Sequence, residues 1–335
     1  MSMKILRPGL LTSIQDLGRV GYQKYGVIMS GAMDPYALRV ANLLVGNDEG
    51  EAALEITLTG PSLKIEQDIL IAITGGELSP TIENKPIPLW KPVYVKKGSV
   101  LQFGPCISGC RTYLAIAGGI DVEEVMGSCS TYLRAGIGGF HGRALEVGDV
   151  LEFRAPSERS LLLIQQLLEK SDDLFSTTTW SVSKEFFVPD KKNNTIRVIL
   201  GSHYEHFTKE SKRVFFEQAF TVTPQSDRMG YRLSGDPLEL THSFEMISEA
   251  VSLGTIQVPP DGNPIILLAD RQTTGGYPRI GQVASVDISL LAQVKPGERI
   301  QFKEVSVQEA EETYLNREKD FKELRAGLNL KFLVN

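Results

Sequence analysis

The chain has 335 residues, 23% of them charged and 42% hydrophobic, with a formal net charge of −6. An isoelectric point near 5.5 gives no basic footprint for a phosphate backbone, which excludes nucleic acid as a main partner. No apolar run approaches the roughly 20 residues of a spanning helix. The start MSMKILRPGLL lacks the apolar stretch of a signal peptide, and Cys106, Cys110 and Cys129 are too few for a disulfide framework. A cytoplasmic protein without membrane contact is expected.

Taken in chain order, the elements are mostly short strands broken by Gly, Pro, Asn and Asp. Ser30 to Asp34 forms a dense polar segment, and Asp34 is placed to cap a helix over Pro35 to Leu44. Strands follow in VYVKK, VLQFG, RTYLAIAG and VLEFR, then in TIRVIL and ERIQF. Between these groups the composition shifts to Ser, Thr, Asp and Lys, with a helix over Leu161 to Lys170 capped by Ser160. Ile256 to Val258 and Ile265 to Leu268 read as buried strands joined by a Pro-Pro-Asp-Gly turn. A last helix, Val307 to Leu324, is rich in Glu, Lys and Arg.

The expected organisation is an N-terminal β-barrel domain over 1–155, an interdomain connection over 156–194, a C-terminal β-barrel domain over 195–305, and a helix and tail over 306–335. Duplication is suggested by VKKGSVLQF at 95–103 and VKPGERIQF at 294–302, each a glycine turn entering a strand. A further VGDVLEF at 147–153 closes the first half. Ser30 to Asp34 and Ser226 to Gly230 precede the two copies at similar distances, with Gly75-Gly76 and Gly275-Gly276 between. Such a period is far longer than a solenoid repeat.

Ordinary catalytic signatures are missing. No Walker A loop is present, so the chain has no phosphate cradle of its own. No Gly-x-Ser-x-Gly elbow occurs. His203 and His206 lack a second ligand pair, so no metal site is expected. The run Gly136 to Gly139, between Arg134 and Arg143, serves equally as an anion cradle or as a turn. The densest polar segment is Asp270 to Tyr277, directly after a strand: a carboxylate, an amide, two hydroxyls and a Gly-Gly pair whose amides can approach a ligand.

SDRMGYRL at 226–233, GTIQVPP at 254–260 and LADRQTTGGYP at 268–278 together resemble the biotin-dependent carboxyltransferase, or allophanate hydrolase subunit 2, family. The N-terminal half agrees in TSIQDLGRVGYQKYGVIMSGAMDPYALRVANLLVGN at 12–47, AALEITLTGP at 52–61 and YLAIAGGI at 113–120. Cys129 stands where the resemblance leads one to expect Arg, and GSHYEHF at 201–207 departs from a Gly-Pro start. The resemblance implies a mainly β fold of two cyclophilin-like barrels. For a separate chain of this length it implies one component of an ATP-dependent 5-oxoprolinase opening 5-oxoproline to L-glutamate. Its partners would be the 5-oxoprolinase A subunit and a KipI-like B subunit, with ATP held by the complex rather than by this chain alone. Two alternatives stand beside it: sequestration of a KipI-type inhibitor of a sporulation histidine kinase, and carboxyl transfer in a biotin-dependent enzyme. Self-association is left open.

Within that frame, Asp227 and Asp270 are candidate general bases, Arg228 a candidate for binding a carboxylate or a developing oxyanion, and Thr274 a candidate donor. Asp227-Arg228 also reads as an ion pair within a turn. Gln272, Thr273, Gly275, Gly276, Tyr277, Ser30 and Asp34 are candidate substrate-binding residues. The polar segment and the Asp227-Arg228 turn are expected to converge.

Overall fold

The computed structural model describes residues 1–168, 174–183, 194–242 and 246–333. Its chain divides into two compact units, one of Met1–Arg19, Ser30–Val188 and Phe321–Asn335, the other of Val20–Met29 and Pro189–Asp320. The class is mainly β with few helices. The closed barrel lies in the second unit, while the strands of the first form two six-stranded sheets.

In the first unit, one sheet runs in the order Val150–Glu152, Ser2–Arg7, Ser62–Ile65, Val100–Gln102, Thr81–Ile82, Lys85–Pro86. The other runs Phe175–Thr177, Pro92–Val95, Ile69–Glu77, Ser108–Ile116, Ala53–Thr57, Leu11–Gln15. Side chains alternate across a strand, and the second sheet is apolar on both faces. Ile69, Ile71 and Ile73 join Met3, Ile5, Leu63 and Leu101 in a core shared by the two sheets. Leu70 and Ala72, on the opposite face, are covered by Leu38, Leu163 and Phe321 from helices. This explains why ILIAIT reads as an unbroken apolar run.

The covering helices follow from local signals. Asp34 Oδ1 accepts the Ala37 amide at 3.0 Å and Pro35 opens the helix Pro35–Leu44, as expected. The next helix, Glu158–Leu168, starts earlier than expected. Ser157 Oγ accepts the Ser160 amide at 3.2 Å and so caps it, while Ser160 lies within the helix and donates to the Val45 carbonyl at 2.7 Å. Its expected end at Lys170 falls outside the described residues. Much of the stretch read as a connection is therefore structured: this helix and the strand Phe175–Thr177, paired with Pro92–Val95, both belong to the first unit, whereas 169–173 and 184–193 lie outside the described residues. The C-terminal helix runs Val307–Leu333, past Leu324, because Phe321, Leu328 and Phe332 are buried in the helix-covered core of the first unit.

The barrel of the second unit is closed in the order Thr195–Leu200, Arg279–Val283, Thr255–Gln257, Ile265–Leu267, Gly230–Ser234, Ala219–Val222, Arg299–Glu304. Its end strands, Thr195–Leu200 and Arg299–Glu304, are parallel and seal it. Ile196, Val198, Phe220, Val222, Ile256, Ile266, Ile300 and Phe302 are buried. The expected strands around Ile256 and Ile266 pair antiparallel with those two residues opposite one another.

One turn recurs three times. Gly98, Gly148 and Gly297 have φ of 89°, 95° and 88°, each in the third position of a turn closed by Ser99 N to Lys96 O, Asp149 N to Glu146 O, and Glu298 N to Lys295 O. This is the pattern of a type II turn. Each docks on another strand through the same pair of bonds. Gly98 N donates to Ile65 O and Ile65 N to Ser99 O; Gly148 and Asp149 bond Ile5 in this way, and Gly297 and Glu298 bond Val222. Two of these turns belong to the first unit and one to the second.

Candidate functional site

In the second unit the ladder between Gly230–Ser234 and Ile265–Leu267 continues past the ends of both strands. Leu268 N donates to Met229 O at 3.0 Å and Asp270 N to Arg228 O at 2.9 Å. Arg228 and Asp270 are thereby held as cross-ladder neighbours. Arg228 Nε donates to Asp270 Oδ2 at 2.8 Å and Nη2 to Oδ1 at 3.1 Å, a bidentate pair with both residues buried. The two segments meet at these residues.

The ion pair inferred within the Asp227-Arg228 dipeptide is thus formed instead between Arg228 and Asp270. Asp227 is exposed and organises its own turn, its Oδ1 accepting the Met229 amide at 2.8 Å and the Gly230 amide at 3.2 Å. A short side-chain acceptor two residues before an amide favours this Asx geometry.

After Asp270 the chain leaves the barrel. Thr274–Gly275 pairs with Glu249–Ala250 in a two-stranded ribbon, and Val251 N donates to Thr273 O at 3.1 Å. A Cβ at Gly275 would lie 2.4 Å from Gln257 Nε2, so the end of that side chain would have to shift to admit one. Gln257 is itself buried and donates to Tyr277 O at 3.3 Å. Gln272, Thr274, Gly276 and Tyr277 are exposed and Thr273 is half-buried. The side chains of Gln272, Thr273, Thr274 and Tyr277 make no hydrogen bond to described residues, which leaves an amide and three hydroxyls uncommitted in the segment that follows Asp270 in the chain.

Arg271 carries no expected role, and it differs from its neighbours. It is 5% exposed. The adjacent carboxylate is taken by Arg228, and among the described residues Arg271 Nη1 reaches only the Leu268 carbonyl at 3.3 Å and Nη2 the Met29 sulfur at 3.9 Å. Burial pushes its guanidinium down to about 10. The only sequence signal is its place between Asp270 and Gln272, where an Asp-Arg dipeptide suggests a pair that the fold does not form.

Ser30 and Asp34 belong to the first unit. Asp34 is spent on capping its helix, and its amide donates to Tyr113 Oη at 2.8 Å. Tyr113 in turn donates to Glu55 Oε2 at 2.6 Å, and the Met33 amide reaches the same oxygen at 2.8 Å. Burial, reinforced by Glu55 and Asp34, holds the Tyr113 phenol well above its usual range. Ser30 has φ 54° and is buried, its Oγ without a partner among the described residues, a strained polar residue of the kind that collects at functional positions.

Cys129 is buried, its amide donating to Asp16 Oδ2 at 2.6 Å. Burial, with Asp16 next, pushes its thiol up to about 11, which suits a structural thiol and opposes a nucleophile. The Gly136 to Gly142 loop lines an open cavity of about 590 Å³ together with Asp121, Val122, Glu123 and Val125. A Cβ at Gly139 would overlap Thr131 Oγ1 and one at Gly138 the Ser130 carbonyl, so these glycines serve close packing of the loop. The carboxylates of Asp121 and Glu123 make this cavity a poor cradle for a polyphosphate. His203 lies 6.1 Å from His206 and that ring 6.0 Å from His242, yet among the described residues no group of three or more His, Cys, Asp or Glu is arranged to hold a metal. Burial, then Arg279, lowers the His203 pKa. No described helix is long and apolar enough to cross a membrane.

The chain is 39% identical over 298 residues to the 5-oxoprolinase C subunit of Haemophilus influenzae, covering 89% of each chain. It is 38% identical over 324 residues to that of Escherichia coli, covering 96% of this chain and 97% of the other. The urea carboxylase of Kluyveromyces lactis superposes with a TM-score of 0.85 at 34% identity, over 95% of this chain and 28% of the larger one. Residues 25–304 match the carboxyltransferase domain, subdomain A and B, and the chain belongs to that family.

Proposed function

We propose that this chain is the C subunit of an ATP-dependent 5-oxoprolinase, which opens 5-oxoproline to L-glutamate together with an A subunit and a KipI-like B subunit. The observation that carries this reading is the match to the 5-oxoprolinase C subunit over 96% of this chain and 97% of the Escherichia coli relative. The site chemistry supports it. Opening a lactam builds negative charge on the amide oxygen, and the uncommitted donors of Gln272, Thr273, Thr274 and Tyr277 suit stabilising that charge. Asp227, exposed and next in the chain to the arginine that holds Asp270, is the carboxylate assigned to activating water. Arg228 and Asp270, engaged with each other, are assigned to holding the segment in place. ATP phosphorylates the amide oxygen in such a reaction; no residue of this chain is assigned to holding it.

Glutamate release from 5-oxoproline and ATP is measured with this chain alone, with its two partners alone, and with all three. Release is expected only from the complete set, and Thr274→Val is expected to slow it about a hundredfold while leaving the melting midpoint unchanged. Turnover by the chain alone, or full turnover by the partners without it, overturns the proposal. A second reading, carboxyl transfer, is favoured by the likeness to the urea carboxylase. Avidin separates the two, since sequestering biotin stops carboxyl transfer and leaves 5-oxoproline hydrolysis intact.

A further inference from the structure

A guanidinium removed from water is costly unless a carboxylate or a full set of acceptors replaces the water. Arg271 has neither. It is 5% exposed, its Nε has no hydrogen-bond partner, and its other contacts are one carbonyl at 3.3 Å and one thioether at 3.9 Å. Among the described residues no Asp or Glu oxygen forms an ion pair with it within 4.0 Å. The contrast with Arg228, equally buried, is direct: that residue takes both oxygens of Asp270. A thioether is a weak acceptor that does not neutralise charge. The fork of Arg271 is therefore a pre-positioned, unneutralised receptor whose planar N–H groups match a two-oxygen anion.

We propose that Arg271 is the anchor of an oxyanion-binding site, receiving the carboxylate of a small ligand beside the uncommitted side chains of Gln272, Thr273 and Thr274. The choice of ligand, 5-oxoproline and its product glutamate, rests on the 5-oxoprolinase reading; the existence of the anchor does not. An incoming carboxylate supplies the missing negative charge and the missing acceptors together. Without such a ligand the guanidinium is a net cost to the fold. A purely structural arginine contributes stability in the empty protein, so the sign of the effect on the empty protein separates the two roles.

The test is a thermal-shift titration of the full-length chain with 5-oxoproline, L-glutamate, inorganic phosphate and 2-pyrrolidinone, which keeps the lactam ring and lacks the carboxylate. The acids are expected to raise the melting midpoint in a saturable manner and 2-pyrrolidinone to leave it unmoved. Arg271→Met is expected to melt at or above the parent midpoint without ligand and to lose the acid-induced shift. Arg271→Lys keeps the charge without the fork and is expected to bind at least about tenfold more weakly. If phosphate shifts the parent and neither variant while 5-oxoproline shifts nothing, the anchor stands and the 5-oxoprolinase substrate is wrong. If 5-oxoproline shifts parent and both variants equally, the anchor is overturned and the functional reading survives. An Arg271→Met protein that melts well below the parent, an Arg271→Lys protein that binds like it, or a parent unmoved by every acid also overturns the anchor.

Discussion

Arg228 and Arg271 are buried to the same extent, and what the ladder sets opposite each decides its energetics. Arg228 meets Asp270 because the strands Gly230–Ser234 and Ile265–Leu267 continue their pairing into irregular backbone; Arg271, one residue beyond Asp270, meets a carbonyl and a sulfur. Breaking a buried pair by removing one partner leaves an uncompensated charge, whereas replacing both can be neutral. Arg228→Met is accordingly expected to cost about 3 kcal/mol or more, and Asp270→Leu a similar amount. The double variant is expected to recover most of either loss. Denaturant melts of the four proteins form the cycle, and additive losses would show that the two side chains do not depend on one another. The polar richness of the Asp270 to Tyr277 segment was legible in the sequence. The partnership was not, because Arg228 and Asp270 are 42 positions apart and a carboxylate has an arginine beside it in both Asp227-Arg228 and Asp270-Arg271.

At the scale of elements, the three glycine turns make the sharpest claim. A Cβ at Gly98, Gly148 or Gly297 would meet nothing within 4 Å, so space does not require glycine at any of them. Their φ values near +90° do. Substitution by Ala is expected to cost about 1–2 kcal/mol at each position through backbone strain, lowering the melting midpoint by a few degrees. Asn, which tolerates left-handed backbone, is expected to cost less. An Ala variant that melts with the parent would mean the turn is differently made. These turns were readable because Gly, Pro and flanking charges punctuate the chain locally, as were the helix behind Asp34 and the strands around Ile256 and Ile266. Strand partners were less readable. Ile69–Glu77 is apolar on both faces, and periodicity carries no information about which layer each face meets. Ser160, expected as a cap, instead turns its hydroxyl inward to the Val45 carbonyl, a long-range bond that local sequence does not reveal, and Ser157 caps the helix.

For the whole molecule, sequence order and compact unit do not coincide. Val20–Met29 belongs to the second unit although it lies in the first tenth of the chain's length, and Phe321–Asn335 belongs to the first. Composition has no marker for such exchanges. Phe321, Leu328 and Phe332, at 1%, 4% and 2% exposure, share a core with Leu163 and Leu167. Removing a large buried apolar side chain costs about 2–5 kcal/mol, so losing three exceeds much of the stability of an ordinary domain. A chain ending at Asp320 is expected to lose the cooperative melting of the first unit and to bind a hydrophobic dye. Retention of the full transition would show that this last segment is dispensable.

The position of that segment also bears on how the protein is made. Synthesis runs from the amino end and domains commonly fold as they emerge, yet the outer face of the sheet containing Ile69–Glu77 waits for Phe321, Leu328 and Phe332, which leave the ribosome only after the barrel strands have done so. Throughout translation of the second unit the nascent chain carries an apolar surface that its own earlier helices cover only in part, and chaperones able to hold it have their longest opportunity on the part of the protein that was born first.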